Sequence, residues 1–248
     1  MASPLEQFQI HKMVPLEIAG HDVSFTNSAA FMVLILGTIV LFLIAGARKP
    51  ALVPGRWQSA VEELHEFITG MVQENMGPKG RAFVPFIFAL FLFILVSNLI
   101  GLFPYSFTVT SHLAVTFAFA AFIFIMCIVI GFARHGLHFL ELFYPPGTPI
   151  YLAPLIVPIE LISYLSRPLT HSIRLFANMT AGHILLEVFA GFIISLGLAG
   201  GALSVLGILP LLMNVALYAL ELLVAVVQAY VFTLLTCVYL NDSINLPH

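Results

Sequence analysis

Apolar positions along this chain come as long unbroken runs, and in only one stretch do they recur with a clear helical period. Residues 82–133 contain no Asp, Glu, Lys or Arg at all. That run predicts two membrane spans, 82–103 and 113–133, each long enough to cross a ~30 Å hydrocarbon core at ~1.5 Å per residue. Gly101 to Thr110, with Pro104, forms the turn between them. An earlier apolar run, 27–46, predicts a first span and is followed at once by Arg48 and Lys49. Between these runs, Trp57, Val61, Leu64, Ile68, Met71 and Val72 recur at helical spacing, with Glu62, Glu63, Glu66 and Glu74 on the other side. Residues 56–76 are therefore an amphipathic surface helix. Its acidic polar face suits a protein partner better than anionic lipid, which attracts basic faces.

The last hundred residues are harder to fit. As single helices, 150–197 and 203–240 would extend ~72 Å and ~57 Å, more than an upright crossing needs. Either each run crosses twice, the first through a turn between Ser166 and Ser172 at Pro168, or both lean steeply as a hairpin. The leaning arrangement fits better. Pro154, Pro158 and Pro168 would then kink one long helix, with nearby hydroxyls satisfying the freed carbonyls. Gly197, Gly200 and Gly201 turn it into the next, which Gly207 and Pro210 could break, and NDSINLPH is a short polar tail. The segment HGLHFLELFYPPGTP, with His135, His138, Glu141, Pro145, Pro146 and Gly147, is expected to be a surface loop, and its lone H-x-x-H lacks further ligands for a metal.

Composition agrees with this pattern. The chain has 248 residues, 60% of them hydrophobic and 8% charged, with mean hydropathy +1.06. A soluble domain carries roughly a quarter charged residues, and a barrel would alternate polarity along its strands. The fold class is all-α and polytopic, with about five membrane-embedded helices and one surface helix. Five of the nine basic residues fall in 48–81, so the positive-inside rule puts the N-terminal segment 1–26 outside and the C-terminus in the cytoplasm. Residues 1–22, with Glu6, Lys12, Glu17 and Asp22, lack the apolar core of a cleavable signal. The net charge of −3 gives no nucleic-acid footprint. Cys127 and Cys237 are packing residues without metal or redox spacing, and EELHE, with Glu62 and His65, lacks the second histidine of a zinc motif.

Candidate chemistry concentrates in Glu160 to Glu187, ELISYLSRPLTHSIRLFANMTAGHILLE. Arg174 stands at its centre. An arginine inside an apolar span costs about 2.5–3.5 kcal/mol on insertion scales and stays charged. Glu160, Ser163, Arg167, Thr170, Arg174, Asn178 and Ala181 fall within about 40° of one line on a helix. Ala177, Ala181 and Gly182 beside this stripe would admit another helix close to the guanidinium, although a seam buried in the chain's own bundle is the plainer alternative. His183 points the other way, with Glu187 one turn later. Asn98 and His112 can line a water path or be satisfied polar residues. Arg167 lies one heptad before Arg174, where it could snorkel to headgroups.

At SIRLFANMTAGH, followed by LELLVAVVQAYVFTLLTCVYL and preceded by VSNLIGLFP, the chain resembles the subunit a family of F-type ATP synthases. The resemblance spans essentially the whole chain in span order, with its motifs concentrated in 160–240. It implies a stator beside a rotating c-ring, embraced by two tilted hairpin helices, with peripheral-stalk b-type subunits, the lipid bilayer and protons as further partners. It implies no cofactor or metal and no catalysis by the chain alone, in a bacterial inner membrane. By resemblance Arg174 faces the ring carboxylate, with Asn178 and Gln228 near it. Glu160, Ser163 and His171 are then expected in the cytoplasmic half-channel, and His183, Glu221, Asn178, Gln228, Asn98 and His112 in the external one. Some bacterial members carry the acid and the histidine at the first two of these positions in the opposite order; here they stand as in mitochondrial and alphaproteobacterial members.

The physics is consistent with that mechanism. A rotor carboxylate must be neutral in lipid and is favoured as the anion beside a fixed arginine. Arg174 would thus strip the proton and, being no practical proton carrier, block a leak. Two other classes fit less well. An intramembrane metalloprotease could ligate zinc with His183, Glu187 and Glu221, and a secondary transporter would bury the same charges but show internal repeats, which ELISYLSRPLTHSIRL does not.

Overall fold

The computed structural model describes residues 12–15, 17–18, 21–22, 24–48, 51–103, 108–144, 150–200 and 205–245. Lys49, the Pro104 turn, the run of Pro145, Pro146 and Gly147, and Gly201 lie outside the described residues. So do Glu6 and the end of the tail. Among the described residues six long helices make the fold: α1 (Asn27–Ala47), α2 (Arg56–Met76), α3 (Val84–Gly101), α4 (Leu113–His135), α5 (Ala153–Ala199) and α6 (Ile208–Ile244). All except α2 carry apolar stretches long enough to cross a membrane. Ahead of α1, two short antiparallel ladders pair Lys12–Val14 with Phe25–Thr26 and Glu17–Ile18 with His21–Asp22. The chain is all-α and polytopic.

Local chemistry sets several helix ends. Thr26 Oγ1 accepts the Ala29 N–H at 3.3 Å and Asn27 Oδ1 the Ser28 N–H at 2.9 Å, supplying acceptors to donors left over at the start of α1. Gly77, at φ +64°, closes α2 in the left-handed region that side chains avoid. A 3₁₀ segment, Gly77–Phe83, then leads into α3.

The helices contribute to two compact units. One comprises residues 1–41, 93–112 and 175–229; the other comprises 42–92, 113–174 and 230–248. In the second unit α2 turns Ile68, Met71, Val72 and Met76 inward. His65 meets Phe88 edge-on at 5.4 Å, and Phe67 packs beside Phe91 and Tyr230. Trp57 is exposed, although its ring reaches Phe42.

α5 is one continuous helix containing Pro158 and Pro168, which leaves no turn between Ser166 and Ser172. The hydroxyls beside Pro168 act differently from expectation. Ser166, Thr170 and Ser172 donate to the carbonyls of Ser163, of Ser166 and Arg167, and of Leu169. None of them serves the Tyr164 carbonyl, which a proline four residues on deprives of its helical donor.

Two further expectations are corrected in this unit. The segment after α4 is not a surface loop: Gly136–Phe143 forms a 3₁₀ helix. Its Phe139 is 1% exposed and lies against Gly131, where a Cβ would meet the ring at 2.3 Å. Phe139 and Tyr164 centre an apolar cluster with Phe124, Ile128, Leu142 and Phe143. Nor does a polar tail begin at Asn241, because α6 continues through Ile244. Tertiary partners hold that last turn: Arg167 reaches Asp242, His135 Nε2 donates to the Ile244 carbonyl at 3.1 Å, and Lys79 Nζ donates to Asn245 Oδ1 at 2.9 Å.

Candidate functional site

Arg174 is exposed on α5, and among the described residues no hydrogen bond or ion pair holds its guanidinium. Ser163, Thr170, Ala177 and Ala181 are exposed as well, while Glu160, Arg167 and Asn178 are half-buried. The stripe is therefore an outward face and not a seam closed inside its own bundle. Small residues next to Arg174 leave room for close approach from outside.

Arg167, one heptad earlier, is the opposite case. Its Nη1 donates to Asp242 Oδ2 at 2.7 Å, and its guanidinium carbon lies 5.0 Å and 5.1 Å from the ring centroids of Tyr164 and Tyr239. A cation beside two aromatic rings, with a carboxylate hydrogen-bonded to it, is held within the chain. It clamps α5 to α6 and does not reach for headgroups.

His171 is buried and stacks on Phe232 at 3.7 Å between centroids, with Tyr239 at 5.8 Å. Among the described residues its Nε2 has no hydrogen-bond partner and nothing ties it to Glu160 or Ser163. The sequence groups these three; the structure gives His171 an aromatic setting.

In the first unit the histidine of α5 sits in a polar setting. His183 Nδ1 lies 2.5 Å from Glu221 Oε1, and Nε2 lies 2.9 Å from the Gly101 carbonyl and 2.8 Å from Thr108 Oγ1. Thr108 Oγ1 itself donates to the Gly101 carbonyl at 3.2 Å. A carbonyl only accepts, so Nε2 must carry a proton. The Nδ1 to Oε1 contact needs one more proton, carried by either partner. The pair thus stores a proton that can sit on an imidazole or on a carboxylate. Glu221 is 4% exposed, and its second oxygen, Oε2, has no partner among the described residues.

Gly182 makes this contact possible. A Cβ there would stand 2.6 Å from Glu221 Oε1 and 2.9 Å from its carboxyl carbon. The sequence places Gly182 with the small residues flanking Arg174, whereas the structure makes it the seat of Glu221.

Asn98, fully buried, donates to the Ala225 carbonyl at 3.1 Å and accepts from Thr110 Oγ1 at 3.0 Å, so both ends of its amide are engaged by protein. Gln228 is buried on α6, seven residues after Glu221, on the same face. Burial pushes the His112 imidazole below its usual value, leaving the ring neutral at neutral pH. Thr108, the Gly101 carbonyl and the seat at Gly182 are the groups around the His183–Glu221 pair that sequence reasoning missed. A threonine 75 residues from its histidine leaves no periodic signal.

Among the described residues no three His, Cys, Asp or Glu side chains are placed to hold a metal ion. His183, Glu187 and Glu221 do not form a zinc ligand set.

Comparison with known proteins is consistent over nearly the full length. Residues 29–241 match the family model described as ATP synthase A chain. The chain is 51% identical over 246 residues to ATP synthase subunit a of Rhodospirillum rubrum, covering 99% of this chain and 100% of that protein. It is 54% identical over 246 residues to the subunit a of Mesorhizobium japonicum, covering 99% and 97%, and 53% identical over 248 residues to that of Parvibaculum lavamentivorans, covering 99% and 94%. With apolar helices long enough to span a membrane, relatives more than half identical over nearly the whole chain and a family match over residues 29–241, this chain belongs to the ATP synthase A chain family.

Proposed function

We propose that this chain is the stator of an F-type ATP synthase membrane sector, carrying protons through two offset half-channels and using Arg174 to deprotonate a carboxylate on a c-ring. One observation carries the reading: Arg174 is exposed on an apolar helix with no partner of its own among the described residues. A permanent charge in hydrocarbon costs about 2.5–3.5 kcal/mol even on insertion scales, and a carboxylate brought to it from another subunit offsets that cost. The c-ring carboxylate, neutral in lipid, becomes an anion beside Arg174 and releases its proton. Because an arginine does not give up its own proton, protons cannot short-circuit from one half-channel to the other.

In this reading the N-terminus faces the outside and the C-terminus the cytoplasm, α5 and α6 lean across the bilayer, and b-type subunits of the peripheral stalk hold the chain. His183 and Glu221 relay protons on the external side, with Asn178, Gln228, Asn98 and His112 supporting or lining that path. Glu160, Ser163 and His171 line the cytoplasmic side. A transmembrane potential supplies ~2.3 kcal/mol per proton per 100 mV.

Replacement of Arg174 by Gln in the assembled complex tests the proposal. ATP synthesis driven by a proton gradient should vanish while the complex still assembles. Normal synthesis in a correctly assembled Arg174→Gln complex would overturn it, and Lys should not restore full activity, because an ammonium lacks the planar fork and can lose its proton.

A further inference from the structure

Glu187 has no place in the scheme so far. It lies one turn beyond His183 on α5, half-buried, in the otherwise apolar run 184–189. Among the described residues no hydrogen bond or ion pair holds its carboxylate. A carboxylate in a membrane segment is costly unless it meets a partner or water.

A second observation concerns the atoms around the His183–Glu221 pair. Thr180 Oγ1, Asn214 Oδ1 and Glu221 Oε2 are all buried, and none has a hydrogen-bond partner among the described residues. Thr180 precedes His183 by three residues on α5, and Asn214 precedes Glu221 by seven on α6, so each shares a face with its neighbour in the pair. Asn98, Thr110 and Ser111 in this unit, by contrast, all bond to protein. Buried polar atoms find partners, and water is the partner that fits polar sites with no protein donor in reach. α5 runs into the connection at 200–207 and α6 runs out of it. Glu187 and Asn214 therefore both lie toward that end, about 6 Å and about 10 Å along their helices from His183 and Glu221.

We propose that Glu187 is a further relay residue, taking up protons from water on the side of the α5–α6 connection and passing them to the His183–Glu221 pair, with Asn214 hydrating the approach. This rests on the reading of that pair as a proton path. The Glu187 carboxylate accepts a proton from hydronium or a buffer acid and becomes a carboxylic acid. It then gives that proton to a water, which delivers one to Oε2 of Glu221, and Glu187 returns to the anion. Oε1 stays on His183 Nδ1 throughout.

The test is passive proton conduction through the membrane sector of the whole complex in liposomes, under an imposed potential. Glu187→Gln should slow conduction about ten-fold, the lower end of what a positioned proton-transfer group contributes. Acetic acid or imidazole buffer on the side of the α5–α6 connection should restore the rate, and the same buffer on the other side should not. Unchanged conduction in Glu187→Gln overturns the proposal. Slowed conduction that buffer does not restore, or failure of the variant to assemble, also overturns it by marking a structural carboxylate. His183→Ala is measured in parallel. Wild-type conduction there overturns the path itself, whereas lost conduction there with wild-type conduction in Glu187→Gln overturns only the role of Glu187.

Discussion

Arg167 and Arg174 stand seven residues apart on one helix, yet one is enclosed and the other is bare. Arg167 has a carboxylate at 2.7 Å and two aromatic faces near 5 Å; Arg174 has no hydrogen bond or ion pair among the described residues. The histidines differ in another way. His171 is stacked on Phe232 with its Nε2 unpartnered among the described residues, while His183 is joined through both ring nitrogens to oxygen atoms. An arginine in an apolar helix is thus a fastening when its partners stand within the chain, and is available to another subunit when they do not. For a histidine the chemistry of the partner decides instead: an aromatic face only packs against the ring, whereas a carboxylate can exchange a proton with it.

The largest effect that would sharpen this comparison is a matched pair of substitutions. Arg174→Gln should abolish coupled synthesis in an intact complex. Arg167→Gln should leave the mechanism in place and lower thermal stability by about 1 kcal/mol, since the ion pair is half-exposed and its worth comes partly from the aromatic faces. Thermal melting and ATP synthesis measured on both complexes separate the two roles, and equal losses of synthesis would break the contrast.

Next comes the relay. His183→Ala and Glu221→Ala should each slow proton conduction strongly, and the exchange His183→Glu with Glu221→His should recover part of the rate, because one acid and one imidazole are again present. If the pair only fixes the helices, both single variants should instead fail to assemble.

A smaller effect is expected at Gly182. Alanine there brings a methyl within 2.6 Å of Glu221 Oε1, so the carboxylate must shift at a cost of about 1–3 kcal/mol. Conduction should fall with little change in assembly, and Gly191→Ala, where a Cβ meets nothing within 4 Å, is the control that should leave conduction alone.

The smallest effect belongs to His112. Its ring is kept neutral by burial, so His112→Gln, neutral and polar, should hold conduction within about two-fold. A larger loss, read from the same liposome assay, would move His112 into the relay.

Hydrophobic patterning alone determined the all-α membrane fold, the amphipathic α2, the unusual length of α5 and α6, and Arg174 as the charge needing explanation. These are local properties: uninterrupted apolar length and a helical period are written in neighbouring residues. Tertiary structure decided the rest. It drew Asp242 into a helical turn opposite Arg167, 75 residues away, and folded 136–143 over Gly131 as a 3₁₀ helix. It also set Thr108 and the Gly101 carbonyl, 75 and 82 residues from His183, around one ring. Nothing in a window of one or two helical turns specifies such pairings. They follow from which faces meet when the helices pack, and so does the difference between an arginine that is clamped and one that is left exposed.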